Sequence, residues 1–185
     1  MSSFFFLFKE KERSGSVKIG LLGYGTVGSA FYAMAIEHPE TSDITLLDLK
    51  RHDDLTCRQT ADFQDILRDE SIGTVVELIG GLHPAYEFVS SALKSGKHVL
   101  LMLEPERAAQ VKRNMPEAFC LYVEPADPAQ LRARYAKNAR NSYELTARME
   151  LAAEQRAESG YCDMRIDSTD PAAAVREIRE LIDRL

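Results

Sequence analysis

The feature that most constrains the fold is a short apolar run that ends in a glycine-rich turn. Residues 17–28 read VKIGLLGYGTVG, so Gly23, Gly25 and Gly28 stand in the spacing G-x-G-x-x-G. The apolar run is typical of a buried strand, and a helical pattern follows the turn. Gly23 would permit the tight turn, Gly25 would let phosphates approach the backbone, and Gly28 would let the helix pack closely on the strand. This order predicts a dinucleotide-binding unit.

The rest of the chain alternates apolar runs with helical patterns. We predict strands at residues 18–23, 44–49, 74–79, 98–103, 119–123 and 161–166. We predict helices at residues 26–35, 62–68, 84–95, 106–114, 128–138, 143–158 and 171–184. Several runs are almost continuously apolar, as strands buried in a parallel sheet are. The alternation predicts a doubly wound, three-layered α/β domain with a mostly parallel sheet of about six strands, in the order 3-2-1-4-5-6.

Residues 1–16 stand apart from the predicted domain at 17–185. They contain five consecutive apolar residues at 4–8, followed by a charged run. Five residues are far fewer than the roughly 20 that span a bilayer, and the segment lacks the basic start and cleavage site of a signal peptide. We expect an extra edge strand or a strap over an apolar groove; a tail that binds a partner is the alternative.

Charge and cysteine content limit the ligands and partners. The formal net charge of −6 disfavours nucleic acids and anionic membranes, because both bind basic surfaces. The three cysteines, Cys57, Cys120 and Cys162, lack zinc-site spacing, and the four histidines are dispersed, so no metal site is predicted. Dispersed cysteines are typical of reduced thiols in the cytoplasm, where we expect this protein. Cys120 and Cys162 lie in predicted strands, which predicts buried, inert thiols.

An acidic residue stands where a dinucleotide site needs one. Asp48 lies 20 residues after Gly28, near the end of the second predicted strand. Its carboxylate would accept hydrogen bonds from the adenosine ribose, which favours NAD. Lys50 and Arg51 follow directly and would instead meet the 2′-phosphate of NADP, so the choice of cofactor stays open. A purely structural role for Asp48 in a turn is the alternative.

Four phrases extend the pattern beyond the glycine turn. They are KIGLLGYGTVG (18–28), TVVELIGG (74–81), HPAYEF (83–88) and ALKSGKHV (92–99). Together they resemble the amino-terminal, nucleotide-binding part of homoserine dehydrogenase over residues 17–99. The resemblance implies a cofactor site formed by Gly23, Tyr24, Gly25, Thr26, Val27, Gly28, Asp48, Ile79, Gly80 and Gly81. Within it, residues 79–81 would border the nicotinamide ribose.

This resemblance ends near residue 99. The family continues with a Thr-Ala-Asn-Lys phrase whose lysine serves hydride transfer, whereas residues 98–105 here read HVLLMLEP. The family's substrate and dimerisation domain would not fit in the remaining residues. The comparison therefore implies no catalytic residue in this chain.

The second half carries a different set of phrases. They are HVLLMLEPERAAQVKRNMPEAFCLYVEP (98–125), LRARY (131–135), ARMELAAEQ (147–155) and YCDMRIDS (161–168). These resemble the carboxy-terminal half of guanylate kinase over residues 96–185. The P-loop spacing G-x-x-x-x-G-K-[ST], which phosphoryl transfer needs, does not occur in the sequence. We therefore interpret the basic run of Arg132, Arg134, Lys137 and Arg140 as a solvated helix face.

The two resemblances imply a chimera, engineered or recombined, with a Rossmann-like half (17–99) and a guanylate-kinase-like half (100–185). We expect a domain without enzymatic activity that retains weak binding of NAD or NADP and takes no metal. One alternative is an NAD(P)-dependent oxidoreductase that needs a partner domain, and a weaker one is a relic of a nucleotide kinase. A divergent natural protein is a further alternative to a chimera. We expect a monomer or weak homodimer.

Overall fold

The computed structural model describes residues 3–8, 18–38, 41, 43–81 and 83–182. The chain divides into two compact units. We call Leu7–Met102 the amino-terminal unit, and Met1–Phe6 together with Leu103–Leu185 the carboxy-terminal unit. The first element along the chain is a strand, β1 (Ser3–Phe8). A strand is thus present where we expected an edge strand or a strap, but it is not an edge strand, because it has a neighbouring strand on each side. Residues 1–2 and 9–16 of that segment lie outside the described residues.

The amino-terminal unit is an α/β fold with five parallel strands. The strands are β2 (Lys18–Leu22), β3 (Ile44–Leu47), β4 (Arg58–Thr60), β5 (Ile72–Glu77) and β6 (His98–Leu103). The helices are α1 (Thr26–Ala35), α2 (Phe63–Leu67) and α3 (Ala85–Lys94). The strand order is β4-β3-β2-β5-β6, and each neighbouring pair is parallel. Counted along this unit, the order is 3-2-1-4-5, which is that of a Rossmann-like sheet.

β4, the third strand of this unit along the chain, is not among the predicted strands. β4 is only three residues long, reads Arg-Gln-Thr and lies at the edge of the sheet. A short polar edge strand carries no apolar run, so its sequence gives no period-two signal. The predicted order is therefore wrong for the strands that we predicted, because the strand at 74–79 pairs with β2 on the side away from β3 and takes the fourth place, while β4 takes the third.

The central strands are buried by apolar side chains on both faces. All four residues of β3 are buried, as are Leu21 and Leu22 of β2. Ile66 of α2 covers the sheet at Gly20, where a Cβ atom would lie 2.7 Å from the Ile66 Cγ2 atom. Burial of this kind contributes about 1.5–3 kcal/mol for each large aliphatic side chain, so the helices are fixed on the sheet by packing.

The carboxy-terminal unit contains further α/β elements. Its strands β7 (Phe119–Glu124) and β8 (Met164–Asp167) are parallel neighbours, and β1 lies next to β7. Its helices are α4 (Pro105–Asn114), α5 (Pro128–Ala136), α6 (Ser142–Glu158) and α7 (Pro171–Ile182). The strand predicted at 161–166 starts only at Met164, because Ser159–Tyr161 form a 3₁₀ turn. Residues 183–184 of the last predicted helix lie outside the described residues.

Side chains fix the starts of these helices. The Asp127 side chain accepts a hydrogen bond from the Ala129 amide before Pro128, the first residue of α5. At α6, Asn141 accepts from the Glu144 amide at 2.9 Å. The Glu144 carboxylate in turn accepts from the Arg140 amide. Such caps satisfy amides that have no partner inside the helix, which explains why the helix starts are readable from sequence.

Within the described ranges, no helix combines the length and apolar character that a membrane crossing requires. The same residues contain no group of three or more His, Cys, Asp or Glu side chains placed to hold a metal ion.

Candidate functional site

The glycine turn joins β2 to α1 through a close backbone contact. Gly23 has a φ of +93°, a conformation that favours glycine. Gly28 is buried in the first turn of α1, and a Cβ atom there would lie 2.1 Å from the Gly23 carbonyl oxygen. Any side chain at Gly28 would push the helix away from the turn. The backbone roles predicted for these two glycines agree with this geometry.

The amino end of α1 is open. Gly25 is the residue that caps the helix, and a Cβ atom there would meet no atom within 4 Å. Gly25, Thr26 and Val27 are exposed, and the first turn of α1 contains no acidic residue. The amides at a helix start carry partial positive charge, so an exposed start without a carboxylate is suited to an anion.

Asp48 binds the glycine turn directly. It lies just after β3, and its Oδ2 atom accepts a hydrogen bond from the Tyr24 amide at 2.9 Å. Its Oδ1 atom accepts from the Lys50 amide, also at 2.9 Å. The turn role that we gave as the alternative for Asp48 is therefore present in the structure. The carboxylate nonetheless stands at the edge of the turn, and its side chain remains 23% exposed.

The basic residues after Asp48 differ in their surroundings. The Arg51 side chain is exposed and pairs with Asp53, with Nε 3.3 Å from the Asp53 Oδ1 atom. His52 packs its ring on Tyr24, with ring centroids 4.5 Å apart. Its Nε2 atom is 3.7 Å from the Asp48 Oδ2 atom. Burial raises the pKa of the Tyr24 hydroxyl, in keeping with a ring that serves packing.

The loop after β5 lies against the glycine turn. A Cβ atom on Gly23 would lie 2.9 Å from the Ile79 backbone nitrogen, and the Leu78 amide donates to the Leu22 carbonyl at 2.9 Å. Gly80 and Gly81 both have positive φ, at +73° and +78°. These backbone contacts bring the carboxyl ends of β2 and β5 together.

Glu77 shapes this loop, a role that the sequence analysis missed. The side chain is buried, and its Oε1 atom accepts hydrogen bonds from the amides of Ile79 (2.8 Å) and Gly80 (2.9 Å). Because both amides point at one carboxylate, the chain turns sharply before Gly81. The available signal was an acidic residue within an apolar strand, directly before a pair of glycines.

Three predicted parts of the site thus lie along one edge of the sheet. They are the glycine turn, Asp48 and residues 79–81, at the carboxyl ends of β2, β3 and β5. In open α/β sheets, ligands bind at the carboxyl ends of the strands where the strand order reverses. Here the order reverses between β2 and β5, which are the strands whose loops touch.

A cavity in the same unit lies at the amino ends of the strands. It has a volume of about 560 Å³ and is lined by residues at the amino ends of β5 and β6, including Ile72 and Lys97. The Lys97 ammonium donates to the carbonyl oxygens of Asp69 (2.9 Å) and Ile72 (2.8 Å). This cavity is remote from the glycine turn at the carboxyl ends of the strands, and its buried lysine holds the chain at the start of β5.

The basic run of the carboxy-terminal unit is exposed, as we predicted. All four side chains, Arg132, Arg134, Lys137 and Arg140, face solvent. Arg134 donates to the Ser168 carbonyl at 2.7 Å, and Arg140 pairs with Glu144 at 3.1 Å. The first bond joins the last turn of α5 to the chain after β8, and the second joins Arg140 to the first turn of α6. Because α5 ends at Ala136, only Arg132 and Arg134 of the four lie on the helix face that we predicted.

No family model matches the chain. It is 36% identical to homoserine dehydrogenase from Synechocystis over 117 residues, which covers 56% of this chain and 26% of that protein. It is 26% identical to guanylate kinase from Streptococcus thermophilus over 128 residues, which covers 68% of this chain and 61% of that protein. A crystal structure of S. aureus homoserine dehydrogenase matches with a TM-score of 0.41 at 32% identity, covering 46% of this chain and 26% of that one.

These matches are partial and overlap. The chain spans about a quarter of the length of the homoserine dehydrogenases that it matches. The guanylate kinase match covers 68% of the chain, whereas residues 96–185 make up about half of it. That likeness therefore reaches into the first half. The chain is similar to homoserine dehydrogenase and to guanylate kinase on different but overlapping parts of its length.

Proposed function

We propose that the amino-terminal unit binds NAD or NADP at the glycine turn. The pyrophosphate would lie on the exposed amino end of α1, the adenosine ribose beside Asp48, and the nicotinamide ribose beside residues 79–81. The observation that carries this proposal is the open start of α1, where no side chain hydrogen-bonds to the first amides, flanked by the other two parts. The sequence similarity to homoserine dehydrogenase supports it.

We further propose that this chain combines two nucleotide-binding architectures and catalyses neither relative's reaction alone. Residues 98–105 read HVLLMLEP where the first resemblance requires a catalytic lysine, and no P-loop spacing occurs in the sequence. An oxidoreductase that acts with a partner supplying the substrate domain is the second candidate. The sequence similarity to homoserine dehydrogenases favours that candidate.

A single substitution tests the cofactor site without disturbing the fold. Gly25 has a φ of −77° and open space at the Cβ position, so Gly25→Ala should leave the melting temperature unchanged. The added methyl group would occupy the space where phosphate approaches the backbone. We expect the affinity for NAD or NADP, measured by calorimetry, to fall about tenfold or more, because small displacements at such sites are costly.

The matched control is Gly160→Ala in the carboxy-terminal unit. A Cβ atom at Gly160 also meets no atom within 4 Å, so this variant should bind like the unchanged chain. No binding of either dinucleotide at millimolar concentration would overturn the proposal, as would equal affinity of the Gly25→Ala variant. If the isolated chain oxidised homoserine, the proposal that it lacks this activity would be wrong, while the proposed cofactor site would stand.

A further inference from the structure

Two cysteines that are distant in sequence meet in the carboxy-terminal unit. Cys120 and Cys162 are 42 residues apart, and their Sγ atoms are 2.9 Å apart. Cys120 lies in β7 and is fully buried, whereas Cys162 lies between the 3₁₀ turn and β8 and is partly exposed. The prediction that both are buried, inert thiols does not account for this contact, and it is wrong in that Cys162 is only partly buried.

The backbone around both cysteines is held in place. The Asp163 amide donates to the Cys120 carbonyl (2.9 Å), and the Cys120 amide donates to the Asp163 Oδ2 atom (2.8 Å). Lys112 binds both Asp163 oxygens, at 2.7 and 2.9 Å, and also donates to the Ala118 carbonyl. A disulfide has an S–S distance of about 2.05 Å, so the two sulfur atoms need to approach by less than about 1 Å.

We propose that Cys120 and Cys162 form a reversible intramolecular disulfide when the protein meets a peroxide. The bond would join the two ends of residues 120–162, the segment that carries α5 and α6. It would act as a redox-dependent clamp on that helix pair.

The exposure of the two thiols sets the order of the steps. The Cys162 sulfur, as thiolate, attacks one peroxide oxygen, so an S–O bond forms, the O–O bond breaks, and the leaving hydroxide takes a proton to become water. The Cys120 sulfur then attacks the Cys162 sulfenic acid, so the S–S bond forms and the S–O bond breaks. The second oxygen leaves as water with the remaining thiol proton. Two electrons pass from the two thiols to the peroxide.

The surroundings of Cys120 fit the second role. The hydrogen bond with Cys162 and burial raise the pKa of the Cys120 thiol. A protonated, buried thiol is a poor first nucleophile. It is nevertheless in contact with Cys162, so it can capture the sulfenic acid as soon as that group forms. Peroxide reaches the more exposed Cys162 first.

The test uses the full-length chain with a small molar excess of hydrogen peroxide. We expect a mass decrease of about 2 Da, the two thiol hydrogens, with a peptide that links Cys120 to Cys162. The melting temperature should rise by about 5–15 °C, since a crosslink that closes a loop of this length restricts the unfolded chain. Dithiothreitol should reverse both changes.

Variants separate the pair from the third thiol. The matched control Cys57→Ser should respond like the unchanged chain, whereas Cys162→Ser should keep a free Cys120 thiol and show no rise in melting temperature. Cys162→Ala serves if the serine variant does not fold. A crosslink between chains, sulfinic acid at Cys162 beside a free Cys120, or a disulfide without a rise in melting temperature would overturn the proposal.

Discussion

Gly25 and Gly28 are three residues apart in one turn, yet a methyl group at each would meet opposite surroundings. At Gly25 it would meet open space, and at Gly28 it would lie 2.1 Å from the Gly23 carbonyl oxygen. Real Cβ atoms do not approach backbone so closely, so either α1 or the turn must move. The first glycine therefore leaves room for a ligand, and the second leaves room for the fold.

Gly28→Ala should accordingly lower stability. We expect the free energy of unfolding to fall by about 2 kcal/mol or more, at or above the usual cost of overpacking, because the neighbour is rigid backbone. Urea unfolding measures this loss, with Gly160→Ala as the neutral comparison. Equal midpoints for the two variants would contradict the close contact between α1 and the turn.

Glu77 offers a second test at the scale of single residues. Glu77→Ala removes the acceptor of the Ile79 and Gly80 amides, and we expect the free energy of unfolding to fall by about 0.5–1.5 kcal/mol for each lost hydrogen bond. Glu77→Gln retains a carbonyl oxygen at that position and should lose less stability than the alanine variant. Urea unfolding measures the stability of each variant, and dinucleotide titration measures its affinity for NAD or NADP. If the two variants lose the same stability, the acceptor role is wrong.

At the scale of elements, one ion pair connects the start of β2 with the turn before β5. The Asp69 carboxylate accepts from Ser71 and from Lys18, whose Nζ atom is 3.0 Å away. The hydrogen bond from Ser71 and then that from Lys18 lower the pKa of Asp69 to about 2. Its unfolded value is 3.8, so the carboxylate binds its proton more weakly in the folded chain.

The sign of the pH effect follows from that lowered pKa. The stabilisation is complete above pH 3.8 and is lost as the pH falls towards 2. We expect Asp69→Asn to cost about 1–2 kcal/mol at pH 6, and the difference from the unchanged chain to shrink below pH 4. Urea unfolding at several pH values measures this. A difference that stays constant from pH 6 to pH 3 would contradict the assignment.

The elements also explain which parts of the fold are readable from sequence. β3 was predictable because its nearly continuous apolar run is buried on both sides, and α5 because Asp127 and Pro128 mark its start. β4 was not, since its three polar residues depend on pairing with β3. In the site, the glycine spacing predicted the turn. The bond from Tyr24 to Asp48 could not be predicted, because it depends on how two strand ends meet.

At the scale of the whole molecule, two likenesses give opposite expectations for ligands. If the chain has a dinucleotide site, NAD or NADP should stabilise the folded state. If it is a kinase relic, ATP or GMP should do so instead. Any ligand that binds only the folded chain stabilises it, by about 1.4 kcal/mol at ten times its dissociation constant. The choice of ligand therefore reports which architecture still binds.

We expect a rise in melting temperature with NAD or NADP and none with ATP or GMP. Hydrogen exchange with the dinucleotide present should slow at the glycine turn and at residues 78–81, and stay unchanged in α5 and α6. Protection of α5 and α6 by ATP would contradict this expectation and favour the kinase relic. The unliganded chain under the same conditions is the reference.

The bond between Asp48 and the Tyr24 amide has a consequence for the evolution of specificity. One carboxylate would both recognise the ribose and hold the turn that receives the phosphates. A substitution that exchanges NAD for NADP at this position also removes a support of the turn. Specificity and the shape of the site cannot then change independently, and a switch of cofactor requires a second residue that accepts a hydrogen bond from Tyr24.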